Sequence, residues 1–320
     1  MFWSDLPPRL WSVWAILLGL LFGSFLNVVI YRVPREQSVV SPPSTCPGCG
    51  ARIKPYDNIP VLSWLWLRGK ARCCGFRIPL RYPLVEALGG LLAWGVMYQL
   101  QERFAPHTPL WLGLATFSVY LALVLGLLAA LFIDLDHMLL PDELTLGGAA
   151  LGLLSLPLRS LTWQEALIGG AVGFLIVWLP FDVLYRWLRG FPGMGLGDAK
   201  LLLLAGVWFG WPGAVFALLA GAVQGTLVAV AVYLAQGRLE EPEAVRKERE
   251  ELQRELDTLS PSERQQLEAE LKGDPLMSAP DEGLGQARLA FGPFLILAIY
   301  EFLFFEDVIG SLFFRHVWMV

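Results

Sequence analysis

The sequence predicts an all-α, polytopic helical bundle embedded in a membrane, and three observations predict it. Of its 320 residues 55% are hydrophobic and 17% charged, with a mean hydropathy of +0.54, which is more apolar surface than a soluble domain can bury. The apolar residues fall in long runs, several reaching or approaching the roughly 20 helical residues that cross about 30 Å of hydrocarbon. Such runs, residues 110–133 among them, are apolar all round. A closed barrel would need short strands alternating apolar and polar.

The first run, residues 10–30, has Arg32 and Arg35 just after it, the reverse of a secretory signal with its positive leading end, so it reads as a retained anchor. Residues 34–82 carry eight Lys or Arg against two acids. The positive-inside rule therefore assigns them to the cytoplasm and the N-terminus to the other side. Further spans are expected at about 83–100, 111–133, 144–159, 165–187, 199–212, 214–236 and 288–306, about eight in all. Alternate threading puts the loops at 134–143, 186–198 and 237–287 on the cytoplasmic side, in keeping with Arg186, Arg189, Lys200 and Arg238.

This divides the chain into a first transmembrane helix at 1–33, a cysteine-containing loop domain at 34–82 and a transmembrane core at 83–237. A charged helical insertion at 238–287 and a last helix with a tail at 288–320 complete it. The insertion reads as a solvated hairpin. Leu252, Leu256 and Leu259 make a narrow apolar stripe, and Glu243 with Lys247 and Glu250 with Arg254 have the favourable i, i+4 order. Ser260, Pro261 and Glu263 supply the cap, the first-turn proline and the capping-box partner of a second helix ending near Gly273.

Acids at the ends of apolar spans are costly there and so informative. One cluster, Asp134-Leu135-Asp136 with His137 and Asp142, lies between the third and fourth spans. The other, Gly195-Leu196-Gly197-Asp198-Ala199-Lys200, opens the sixth. Each acid taken singly is explained by a helix cap. Together they lie on one side of the membrane, so packing can unite Asp134 with Asp198. Two carboxyls held close share one proton, and one then acts as base on a water while the other donates to a substrate carbonyl. Gly195 and Gly197 remove side chains where an extended substrate backbone would approach, although glycine also serves plain helix packing. These glycines and Lys200 are the expected substrate-binding residues. Cys46, Cys49, Cys73 and Cys74 all lie in the loop read as cytoplasmic, where a metal knuckle is favoured over stable disulfides.

The ordered motifs Gly23-Ser24-Phe25-Leu26-Asn27 with Arg32 and Pro34, Cys46-Pro47-Gly48-Cys49, Asn58-Ile59-Pro60, Tyr82-Pro83 with Glu86, Asp134 to Asp142, Gly195 to Lys200, and Phe291-Gly292-Pro293-Phe294 resemble the type IV prepilin peptidase family. The pair of Asp134 with Gly195-to-Asp198 is similar to the signature of the wider GxGD intramembrane aspartyl proteases. The resemblance covers nearly all the chain outside the insertion. It implies cleavage, at the cytoplasmic face of a bacterial inner membrane, of the basic leader of type IV prepilins or type II secretion pseudopilins. It also implies N-methylation of the new terminus, commonly Phe, with S-adenosylmethionine. Asp134 and Asp198 become the catalytic pair, while Asp136 and Asp142 stay too near Asp134 for the residues alone to separate them.

The cysteine loop departs from the family's second C-x2-C, since Ala71 stands at its first position and Cys73 directly precedes Cys74. Both neighbours can ligate only with an awkward backbone, and zinc, if held, is structural. Methyl-donor residues are not identified, because no Gly-x-Gly-x-x-Gly follows a strand. By resemblance the loop around Asn58 to Pro60 and Gly69-Lys70 is associated with methylation, whereas Asn27 and Glu86 read equally as polar packing groups. No nucleic-acid partner is expected. The alternatives are a preflagellin-type peptidase without methylation and a polytopic transporter or channel.

Overall fold

The computed structural model describes residues 2–189, 195–237, 242–271 and 290–313. Its described residues are helical, with no strand beyond isolated bridges. In order they form α1 (Pro8–Arg32), α2 (Leu62–Trp66), α3 (Arg81–Arg103), α4 (Leu110–His137), α5 (Asp142–Leu154), α6 (Trp163–Val177), α7 (Tyr185–Arg189), α8 (Leu196–Gln236), α9 (Glu243–Thr258), α10 (Pro261–Glu270) and α11 (Gly292–Phe313).

Among the described residues, four stretches are long and apolar enough to cross a bilayer: Pro8–Arg35, Leu110–His137, Trp163–Leu188 and Leu196–Gln236. The expected total of eight is not reached by that measure. α5 has 13 residues, about 20 Å of helix, and the span expected to reach 159 gives way to a 3-10 turn at Leu156–Leu158. The spans expected at 199–212 and 214–236 are the two limbs of α8. They meet at Gly210, whose φ of 68° and ψ of −177° only glycine adopts readily, two residues before Pro212.

The chain divides into two compact units. The first comprises Met1–Ile133, Pro141–Gln164 and Tyr300–Val320. Within it α1 lies against α3 almost backbone to backbone. A methyl group on Gly19 would stand 2.4 Å from the Gly89 carbonyl oxygen, and one on Gly23 would stand 2.8 Å from Glu86 Cα. Small residues at such a crossing give membrane helices the dispersion contacts that replace a hydrophobic driving force. α11 breaks at Phe305, and the Gln99 amide donates to the carbonyls of Leu303 (2.9 Å) and Phe304 (3.0 Å) just before the break. The side chain thus answers carbonyls beside the break.

The second unit comprises Asp134–Leu140 and Glu165–Ile299. α6 crosses α8 at Gly169, where an added methyl would stand 2.3 Å from the Gly206 carbonyl oxygen and 2.6 Å from the Gly210 carbonyl carbon. α6 continues into a π-helical stretch, Trp178–Leu184, that contains Pro180. The charged hairpin forms as its sequence requires. Ser260 N–H donates to Glu263 (3.1 Å), as does the Ser260 hydroxyl (2.5 Å), and Glu243 to Lys247 and Glu250 to Arg254 are ion pairs at 3.7 Å. The end expected near Gly273 lies outside the described residues, as does Arg238.

Candidate functional site

Asp134 and Asp198 meet inside the second unit. Asp134 sits in the last turn of α4 and is 5% exposed. Beyond it the chain turns through Met138, whose φ of 50° is left-handed and whose N–H donates to the Asp134 carbonyl at 2.8 Å. Asp198 lies in the first turn of α8, its N–H donating to Gly195 at 3.2 Å. A helix N-terminus favours a negative charge at that position. The two carboxyls are close enough that the charge of Asp134 acts on Asp198.

The acid pair is lined by backbone and by one apolar side chain. Gly292, at the start of α11, stands against the Asp134 carboxylate. A Cβ at Gly292 would fall 2.6 Å from Asp134 Oδ2 and 3.2 Å from Leu140 Cδ1, so only glycine admits this approach. Asp134 Oδ2 is buried with no hydrogen-bond partner. An orphaned carboxylate oxygen costs free energy wherever it is not used. Beside a second carboxyl it is a position where a proton can be shared.

The neighbouring acids separate cleanly by burial. Asp136 is exposed on the turn after Asp134, and Asp142 is exposed in the first turn of α5. Gly197 faces the side chain of Leu140, 3.1 Å from its would-be Cβ, whereas Gly195 has no neighbour nearer than 3.9 Å. Gly195 is open enough for a backbone to approach, and Gly197 packs on the turn that carries Asp134. Lys200 follows two residues after Asp198 and is half-buried. Gly292 had no assigned role in the sequence, although the Phe291-to-Phe294 motif that contains it was visible.

The four cysteines converge in the first unit. Their Sγ atoms all lie within 4.8 Å of one another, with Cys46 to Cys74 at 3.6 Å, Cys49 to Cys73 at 3.4 Å and Cys73 to Cys74 at 3.9 Å. Four sulfurs at about 2.3 Å from a tetrahedral zinc stand about 3.8 Å apart, so the set fits that ion. Two matching turns deliver them. In one, Cys46 N–H donates to Ala51 and Gly50 N–H to Cys46. In the other, Ala71 N–H donates to Phe76 and Gly75 N–H to Ala71, all at 2.8 Å. Gly50 and Gly75 share φ values of 72° and 73°. Ala71 is thus the counterpart of Cys46 and Cys74 that of Cys49, while Cys73 brings in the fourth thiol from the place of Gly48. The awkward backbone expected there does not arise, since neither Cys73 nor Cys74 has positive φ. Gly48 N–H lowers the Cys46 thiol to about 7, and hydrogen bonding with the Cys49 thiol pushes Cys73 up to about 12.

Comparison with known proteins agrees with this two-part arrangement. The Bacterial Peptidase A24 N-terminal domain profile matches residues 17–100, and the Type IV leader peptidase family profile matches residues 121–230. A prepilin leader peptidase/N-methyltransferase of Myxococcus xanthus is 42% identical over 73% of this chain and 68% of its own length. Proteins of the same name from Dickeya chrysanthemi and Klebsiella pneumoniae are 39% and 42% identical, over 64% of this chain and 76% and 87% of their own lengths. No solved structure matches.

Proposed function

Because the chain belongs to the type IV leader peptidase family, we propose that it removes the basic leader of type IV prepilins or type II secretion pseudopilins, with Asp134 and Asp198 as the hydrolytic pair, and then N-methylates the new N-terminus. The observation that carries the hydrolytic half is the approach of half-buried Asp198 to buried Asp134, whose Oδ2 is orphaned. One proton resides on the pair. The ionised carboxyl takes a proton from a water, whose oxygen attacks the scissile carbonyl carbon. The protonated partner gives its proton to the carbonyl oxygen. Collapse of the diol breaks the C–N bond, and the departing amine takes up a proton. Open backbone at Gly195 admits the extended substrate, and Lys200 borders it.

S-adenosylmethionine supplies the methyl group as a co-substrate, in line with the N-methyltransferase in the relatives' names. Cys46, Cys49, Cys73 and Cys74 hold a structural zinc that folds the loop between α1 and α3. The basic excess of that loop supports an inner-membrane protein with the N-terminus periplasmic and both reactions at the cytoplasmic face. The same names favour this reading over a peptidase without methylation and over a transporter. The test is the mass of a precursor before and after incubation with the purified protein and S-adenosylmethionine. Loss of the leader and gain of one methyl are expected, and an unchanged mass overturns the reading.

A further inference from the structure

The two limbs of α8 differ in what they hold. The first bears Asp198 on its opening turn, and the second, beyond Gly210, seats the helix that stands against Asp134. Gly221 and Gly225 are both buried and, four residues apart, lie on one face of that limb. A Cβ at Gly221 would stand 3.2 Å from the Leu295 backbone nitrogen, 3.3 Å from its Cα and 3.0 Å from its Cδ2. One at Gly225 would stand 3.2 Å from Cδ2 of the Phe294 ring. Glycine at both places lets the limb lie directly on the start of α11, the close approach that small residues four apart give membrane helices.

The seat and the acid meet one and the same helical turn. The N–H groups of Phe294 and Leu295 both donate to the Phe291 carbonyl, at 3.1 and 3.3 Å, which closes the first turn of α11. Pro293 within that turn has its φ fixed by its ring. Gly292 belongs to the turn as well, its would-be Cβ 2.6 Å from Asp134 Oδ2. A closed turn moves as a body. Leu295 is fully buried, and in a close-packed interior a displacement forced there is passed on rather than absorbed.

We propose that Gly221 is a positioning residue for the hydrolysis: by admitting the Leu295 backbone to the second limb of α8, it sets how closely Gly292 stands to Asp134. One helix then places both acids, Asp198 on its own first turn and Asp134 through the turn it seats. The inference rests on the hydrolytic reading above, and Gly221 acts only through α11.

The test uses the full-length protein in liposomes, with cleavage of a precursor followed by mass. Gly221→Ala forces the Leu295 backbone away by a few tenths of an ångström. Since a 1 Å misplacement costs about 10²-fold, this variant should lower kcat about 10-fold, with KM unchanged because Gly195 stays open. Gly225→Ala meets a side chain rather than backbone and should cost less. Gly126→Ala on α4, where a methyl group meets nothing within 4 Å, should cost nothing. The deciding measurement is a cycle with Gly292→Ala. A residue that works through Gly292 leaves the double variant with the kcat of Gly292→Ala alone, whereas two independent lesions multiply. An unchanged kcat in Gly221→Ala, a loss that appears in KM, an equal loss in Gly126→Ala or Gly225→Ala, or multiplication in the cycle overturns the proposal. Should Gly221→Ala lose helix content by circular dichroism, Leu295→Val, which alters the same contact from the other side, takes its place in the cycle and decides by the same rule. A wild type that cleaves no precursor sinks the hydrolytic reading instead.

Discussion

The acid pair and the thiol cluster are both assembled from residues far apart in the chain, and they are opposites in how their polar atoms are answered. Asp134 is buried and leaves one oxygen without a partner. Cys49, Cys73 and Cys74 are exposed, and every thiol of the cluster faces another. An unanswered carboxylate oxygen in a buried place is costly unless a proton or water meets it, whereas thiols that face one another are suited to a shared ion. The difference supports the proposal that assigns chemistry to the acids and folding to the cysteines.

The largest effect that tests this contrast is on the acids. Asp134→Asn and Asp198→Asn should each lower cleavage by about 10²- to 10⁴-fold, and the double variant should be scarcely worse because the two act as a unit. Mass spectrometry of the precursor reads the loss, and methylation of an already trimmed substrate should survive. Since the pair works with one proton, cleavage should follow a bell in pH, with both limbs altered in either variant. Gly292→Ala comes next. Its methyl group intrudes on the Asp134 carboxylate, and a misplacement of this kind should cost up to about 10²-fold in kcat with the circular dichroism unchanged.

On the cysteine side, Cys46→Ser or Cys49→Ser should release zinc and expose the loop to protease while cleavage by the acids outlasts methylation. Zinc needs thiolates, and the proton that competes with it at Cys46 returns as pH falls through about 7. Retention measured by a chromogenic chelator should therefore weaken as pH falls. Moving the thiol, Ala71→Cys with Cys73→Gly, recreates the partner turn and should keep the metal. The smallest effect belongs to the hairpin: Ser260→Ala removes a cap worth about 1 kcal/mol, visible as lost helix content with both activities intact.

How much of this was legible beforehand follows from periodicity and from distance. The apolar runs and the capping box around Ser260 are local patterns and led to helices, although the run at 144–159 stops at Leu154 and those at 199–212 and 214–236 share α8. The acid pair was legible because Asp134 and Asp198 sit at span ends where charge is costly. Gly292 was not, because its role arises only when a segment more than 150 residues on in the sequence is brought against Asp134. Asp136 and Asp142 could not be set aside from spacing, since burial rather than sequence distance separates them from Asp134. The thiol at Cys73 looked misplaced against a C-x2-C template. It falls into register once the two turns are superposed by their hydrogen bonds, which no residue count reveals. Glu86 read as a packing group, and it accepts a hydrogen bond from Val61 N–H at 2.7 Å, in a turn whose positive φ nothing in Pro60-Val61-Leu62 announces.

The bend at Gly210 bears on the position of one member of the proposed catalytic pair. The limb of α8 that carries Asp198 runs about 20 Å from its tip to that elbow, so each degree of swing there displaces the carboxyl by about 0.35 Å. Productive geometry is held to about 0.5 Å, which leaves the elbow little more than one degree of play. Gly169 packs on Gly206 and Gly210 at this elbow, so a bulkier residue there should shift Asp198 without altering any group proposed to meet the substrate.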